Sequence, residues 1–150
     1  MSMCLPPEPR SMIWLIDLQG SELASVQADG TDLIVIFSAA KVSGDRRQLD
    51  PLIGGGHLRG VHWRLHQARW TGDLSSLIGR IDEADWRIEA QAPAQARQPR
   101  QADQVCAPSQ GSGPVHLRLH TAMGDTLVVD AQGWFVARPP DAAFSPSLAC

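Results

Sequence analysis

Apolar and polar residues alternate along two stretches of the chain that are nearly identical in sequence. Residues 61–68 read VHWRLHQA and residues 115–122 read VHLRLHTA. In each stretch every second residue is apolar, which is the pattern of a strand with one buried and one solvated face. We therefore predict two strands whose inner faces carry Val, Trp and Leu and whose outer faces carry His and Arg.

The rest of the pattern also predicts short strands separated by turns. Residues 22–28 and 31–42 flank an Asp-Gly dipeptide, which suits a tight hairpin because Gly adopts positive φ at little cost. Residues 33–37 (LIVIF) have no polar face. We therefore expect this strand to lie centrally and to be covered on both sides.

The two similar stretches are followed by similar segments. A Gly-Asp turn comes after each, and a later segment opens with Trp86 in the first region and with Trp134 in the second. We interpret the two regions as a duplicated meander of three segments, the second of which turns at residues 132–133.

Short strands, frequent turns and the lack of long helical periodicity predict an all-β fold. We expect antiparallel meanders of about eight to nine strands and at most one short helix, in a single β domain over residues 1–150. The meanders form either a single β-barrel or a two-sheet sandwich, and the pattern does not separate the two. Three segments rich in Pro, Ala, Gln or Ser are expected outside the strands: a loose leader at 1–10, a mobile loop at 91–114 and an irregular tail at 139–150.

Composition and charge narrow the classes of function. With 150 residues, 43% of them apolar and 19% charged, the chain resembles an ordinary soluble domain. A formal net charge of -3 gives no global reason to expect nucleic acid or an anionic membrane as a partner. Three cysteines without a C-x-x-C pair, and no apolar leader or spanning segment, indicate reduced thiols and a cytoplasmic location.

The histidines and arginines of the two similar stretches are the first candidates for a site. If the two strands are neighbours, their outer faces form one basic patch that would bind a ligand or a partner. The residues of this patch are His62, Arg64, His66, His116, Arg118 and His120.

A metal site at these histidines is not expected. Residues four apart on a strand are separated by roughly 13 Å, so one ion could reach only one histidine of each strand. Arg64 and Arg118 also lie between the histidines, and a guanidinium is an unfavourable neighbour for a cation. We assign no metal ligand and no cofactor.

The large aromatic residues support an alternative. In a closed barrel they would line an apolar pocket for a small ligand. The residues of this predicted pocket are Trp14, Phe37, Trp63, Trp86 and Trp134. No phosphate-binding loop and no nucleophile with a neighbouring base is evident, so we assign no catalytic residue and expect a non-enzyme.

Three hypotheses for function follow. The first is a non-catalytic module that binds a protein or another ligand, the second is a carrier of a small apolar ligand, and the third is a metal-dependent enzyme that uses the strand histidines. Association of the chain with itself stays open, because exposed edge strands of an open sheet favour pairing between copies.

Overall fold

The computed structural model describes residues 14–45, 50–89, 103–137 and 144–146, and these residues are nearly all in strands. A single short 3-10 turn at Leu74–Ser76 is the only helical element among them. The described residues form ten strands, which are β1 Trp14–Asp29, β2 Asp32–Asp45, β3 Asp50–Leu58, β4 His62–His66, β5 Arg69–Thr71, β6 Gly79–Ile88, β7 Gln104–Ala107, β8 Ser109–Thr121, β9 Thr126–Val136 and β10 Phe144–Pro146.

Six of these strands close into an antiparallel barrel. The order around the barrel is β1, β2, β4, β9, β8 and β6, and β6 pairs again with β1. Strand β5 follows β4 in the chain and pairs with β9 as β4 does. Strands β3 and β10 extend the sheet beyond β2, and β7 pairs with the first part of β1. The all-β prediction is confirmed. Of the two predicted architectures, barrel and sandwich, the structure has the barrel.

The barrel interior is filled by the residues that alternate inward along the strands. One row of cross-strand partners, Val35, Trp63 and Val136, is almost completely buried, as is the leucine pair Leu33 and Leu65 in the next row. Burial of these side chains is the main favourable term for folding, at about 1.5 to 3 kcal/mol for a large apolar side chain.

Strand β1 contains a large bulge. Asp17 pairs with Lys41 and Glu22 pairs with Ala39, so the four residues 18–21 of β1 oppose a single residue of β2. The hydroxyl of Ser21, which is fully buried, donates to the Asp17 carbonyl (2.6 Å) and accepts from the Lys41 N–H (2.8 Å). These two hydrogen bonds hold the bulge closed, and β1 changes its partner on the other edge at this point from β7 to β6.

Some segments predicted as irregular form strands. Residues 104–107 and 109–114, in the loop expected at 91–114, form β7 and the beginning of β8, because their backbones pair with β1 and β9. In the tail expected at 139–150, Phe144–Pro146 pairs with β3. The composition of these segments, which have few large apolar side chains, does not predict strands. Their pairing depends on strands that are distant in sequence. The leader at 1–10, residues 91–102 of the expected loop and residues 139–143 and 147–150 of the expected tail lie outside the described residues.

The turn predicted at residues 132–133 is also absent. Strand β9 runs through this point to Val136, so the second region contains two strands rather than three segments. The irregularity there is a shift of register against β8, between the pairs that Ser112 and Val115 make. Across the described ranges, no helix is long and apolar enough to span a membrane.

Candidate functional site

The outer surface of the barrel carries a row of side chains centred on Arg64. Strand registers place Ile34 and Phe135 on either side of Arg64, since each is its direct cross-strand partner. The residues that alternate with this row along the strands, such as Trp63, point into the core. The side chains of the row therefore face outward. We call the surface formed by Ile34, Ile36, His62, Arg64 and Phe135 the Arg64 face.

Three apolar side chains of the Arg64 face keep contact with solvent. Ile34 and Ile36 are half-buried, and Phe135 is 43% exposed. The expectation that residues 33–37 are covered on both sides is therefore wrong for the outer side. Inside the barrel, Leu33, Val35 and Phe37 are covered by the opposite wall, whereas the outer side of a barrel strand has no second layer unless another element packs on it.

Two carboxylates hold the guanidinium of Arg64 in place. Arg64 Nη1 donates to Asp32 Oδ2 at 2.8 Å, and Arg64 Nη2 donates to Asp29 Oδ2 at 2.9 Å. Asp29 and Asp32 are cross-strand partners on either side of the turn between β1 and β2, where Gly30 has a φ of 65°. The hairpin turn thus delivers both carboxylates to the same side chain of β4.

Asp32 connects this ion pair to the end of β4. Its Oδ1 accepts the backbone N–H of Gln67 at 3.1 Å, and its Oδ2 lies 3.4 Å from His66 Nδ1. The hydrogen bond from Gln67 and then the bond from Arg64 lower the pKa of Asp32 below its ordinary value. Hydrogen bonds to Asp32 and Asp29 raise the pKa of Arg64 in turn. Arg64 therefore forms ion pairs with two carboxylates.

The two histidines of the first stretch lie at the ends of β4. His62 is exposed, while His66 is half-buried and lies over Gly133 on β9. A Cβ at position 133 would come within 3.3 Å of the His66 ring, so a residue without a side chain leaves room for the imidazole. His66 is thereby kept beside Asp32.

The second stretch also has polar partners on neighbouring strands. His116 Nδ1 lies 2.8 Å from Asp130 Oδ1, and His120 Nδ1 lies 2.9 Å from the Thr126 hydroxyl. Arg118 is the cross-strand partner of Asp85, which in turn forms an ion pair with Arg87 at 2.9 Å. Carboxylates therefore alternate with the basic residues across this face too.

The structure does not join the two stretches into one patch. Strand β9 lies between them and pairs with both, with His66 opposite Gly133 and His116 opposite Asp130. The two histidines are therefore offset by three residues along β9, about 10 Å, and by two strand spacings, about 10 Å, across it. His62, Arg64 and His66 form one surface, and His116, Arg118 and His120 form another.

Three of the five aromatic residues of the predicted pocket contact one another in the core. Trp63 and Trp86 pack edge to face with ring centroids 4.7 Å apart, and Trp86 packs the same way on Trp134 at 5.5 Å. Phe37 is 1% exposed, and Trp14 packs against the rim of the core. These contacts use ring surfaces that a ligand would need.

Two of the indole N–H groups differ in their surroundings. Trp134 Nε1 donates to the Ser109 hydroxyl at 3.1 Å, and its ring lies on Gly111. Trp63 Nε1 is buried without a hydrogen-bond acceptor. The perpendicular packing of Trp63 on Trp86 is the geometry in which an N–H can point at an aromatic face.

The described residues contain no group of three or more His, Cys, Asp or Glu side chains that could hold a metal ion. The carboxylates Asp29 and Asp32 were not predicted as part of the site, because strand pairing brings them to Arg64 from another hairpin. Phe135 was not predicted either. The apolar run at 33–37 was the available signal for an apolar outer surface, because the strand has apolar residues on both of its faces.

Comparison of the chain with models of protein families, with curated proteins and with solved structures finds no match. The geometry of the Arg64 face is therefore the basis for the functional argument.

Proposed function

We propose that this chain is a non-catalytic interaction module that binds a partner protein through the Arg64 face. The observation that carries the proposal is the outward exposure of Ile34, Ile36 and Phe135 around one guanidinium. The first two belong to the most apolar run of the chain, and apolar residues on the outer wall of a barrel gain free energy when another surface covers them.

The chemistry of the Arg64 face fits a protein partner. Arginine and aromatic residues are the types most enriched where protein interfaces contribute most to affinity. Asp29 and Asp32 hold Arg64 in one orientation before binding, so little side-chain entropy is lost when its remaining N–H groups meet a partner. Gln27 and Gln110, at the ends of the same cross-strand row, supply a polar rim.

Other partners and functions have less support. The two carboxylates beside Arg64 oppose an anionic partner such as nucleic acid. A carrier of apolar ligands would need the ring surfaces that Trp63, Trp86 and Trp134 give to one another. A metal-dependent enzyme that uses the strand histidines would need His66 and His116 to bind the same ion, and their positions along β9 are too far apart for this. We place the module in the cytoplasm, as its cysteine usage indicates.

The test begins with capture of the partner. A photo-crosslinking amino acid is placed at position 135, and the protein is produced in its native host and irradiated. The matched control carries the same group at position 128, whose side chain also faces outward but lies in the row of Arg118. A protein crosslinked from position 135 but not from position 128 is the expected product, and a second copy of this chain is one identity that it can have.

The captured protein is then purified and titrated with variants. We expect Phe135→Ser and Ile36→Ser to weaken binding at least about tenfold each, as for side chains near the centre of an interface. Arg118→Gln is the control and should bind like the wild type. Equal affinity of the Phe135→Ser, Ile36→Ser and wild-type proteins would contradict the proposal.

A further inference from the structure

A second surface feature lies away from the Arg64 face, at the bulge of β1. It is an open cleft of about 570 Å³ between the bulge, the start of β6 and the residue before β7. Its lining consists of Asp17, Gln19, Gly20, Lys41, Arg80, Ile81, Asp82 and Asp103. Five of these eight residues are charged, and the volume is in the range of small-molecule sites.

The fold builds this cleft rather than leaving it by chance between loops. Leu18 in the bulge donates its N–H to the Asp103 carbonyl at 2.8 Å, and the buried Ser21 hydroxyl bonds to the backbones of Asp17 and Lys41. Bulges are frequent beside binding sites because they redirect side chains out of the regular strand pattern. Here the bulge separates the positions at which β7 and β6 join β1.

Gly20 gives the Lys41 side chain its path. Its φ of 94° disfavours any side chain, and a Cβ at this position would come within 3.1 Å of Lys41 Cδ. The lysine therefore extends across the glycine along the cleft. The ion pairs within 4.0 Å between described residues do not include Lys41.

Both signs of charge are offered to a ligand. The Arg80 Nε lies 3.9 Å from Asp82 Oδ1, which is too long for a hydrogen bond, and both side chains are largely exposed. Asp17 is held by Gln104, whose amide donates to it at 2.7 Å. A ligand with only negative charge would lie beside three carboxylates that repel it, and a ligand with only positive charge would lie beside Lys41 and Arg80.

We infer that this cleft binds a small zwitterion of the α-amino-acid class. Lys41 and Arg80 bind the carboxylate of the ligand, and Asp82 and Asp103 bind its ammonium group. A ligand with both charges satisfies both sets of side chains, and charge-assisted hydrogen bonds are the strong ones in such a site. The inference is independent of the Arg64 face.

The test uses the full chain and a panel of free L-amino acids at millimolar concentration. Thermal shift selects the amino acid that stabilises the protein most, and isothermal titration measures its affinity. The same titration is repeated with its N-acetyl derivative and with its amide, which each lack one of the two charges. We expect at least one amino acid to bind and both derivatives to bind at least about tenfold more weakly.

Variants locate the site. Lys41→Met and Arg80→Gln, both at exposed positions, should weaken binding of the selected amino acid at least about tenfold. Arg118→Gln, outside the cleft on β8 and opposite Asp85, should leave the affinity unchanged. The inference is overturned if no amino acid of the panel binds, if the derivatives bind like their parent, or if the Lys41→Met and Arg80→Gln proteins bind like the wild type.

Discussion

At the scale of single residues, Asp32 does most to organise the outer surface. One carboxylate accepts from the Arg64 guanidinium and from the Gln67 backbone, and it lies beside His66. Hydrogen bonds to a charged acceptor are stronger than neutral ones, although the partial exposure of this group reduces their contribution. The orientation of Arg64 therefore depends on the charge of Asp32.

Asp32→Asn should lower the free energy of unfolding by about 1 kcal/mol at neutral pH. The amide keeps an oxygen for the Gln67 N–H but loses the charge that binds Arg64. Because folding lowers the pKa of Asp32, its stabilisation is complete above the ordinary value of 3.8 and disappears as the pH falls through the lowered value. Urea unfolding at several pH values should show the difference between the two proteins closing below about pH 4.

The control for this prediction is Asp130→Asn. Asp130 faces His116 in the second stretch and is 69% exposed, so its loss should change stability by less than about 0.5 kcal/mol. A difference between wild type and Asp32→Asn that persists unchanged into acid would mean that the charge of Asp32 is not what stabilises the protein.

At the scale of elements, the bulge in β1 decides which strands meet. The chain leaves the regular strand pattern at Gly20, but it continues as one strand from Trp14 to Asp29. A glycine with positive φ marks an irregularity without saying whether it is a turn or a bulge. The distinction depends on Ser21, whose hydroxyl joins the two sides of the bulge.

Ser21→Ala should lower the free energy of unfolding by about 1 to 2 kcal/mol, because the part-buried Lys41 N–H loses its acceptor. Ser38→Ala is the matched control. The Ser38 hydroxyl is exposed and makes only long hydrogen bonds to Glu22, of 3.3 and 3.4 Å, so its removal should have little effect. Equal stability of the Ser21→Ala and Ser38→Ala proteins, measured by denaturant unfolding, would show that the hydroxyl does not hold the bulge.

At the scale of the whole molecule, alternation along the strands predicted the class of fold and most of the inner wall of the barrel. Trp63, Leu65 and Leu117 lie inside as their patterns indicate. The order of strands could not be predicted, because pairing joins residues far apart in the chain, as when β9 runs between β4 and β8. For the same reason the carboxylate partners of the histidines and arginines were missed, and a basic patch was expected where the charges are balanced.

The two faces of β2 provide a prediction about the whole barrel. Val35 points into the core and is fully buried, whereas Ile36 next to it points outward. Val35→Ser should lower the free energy of unfolding by more than about 2 kcal/mol, and Ile36→Ser by about 1 kcal/mol or less. Thermal or urea unfolding measures both values. A larger loss for Ile36→Ser would show that the outer side of β2 is core and not a binding surface.

The central claim, that a partner covers the Arg64 face, is tested most directly by NMR of the isoleucine methyl groups in the presence of the captured partner. Ile34 and Ile36 lie on the Arg64 face, and Ile78 and Ile88 provide an internal control because they are 51% and 47% exposed at either end of β6. We predict that the signals of Ile34 and Ile36 shift on titration while those of Ile78 and Ile88 stay in place. Shifts of Ile78 or Ile88 without shifts of Ile34 and Ile36 would contradict the claim.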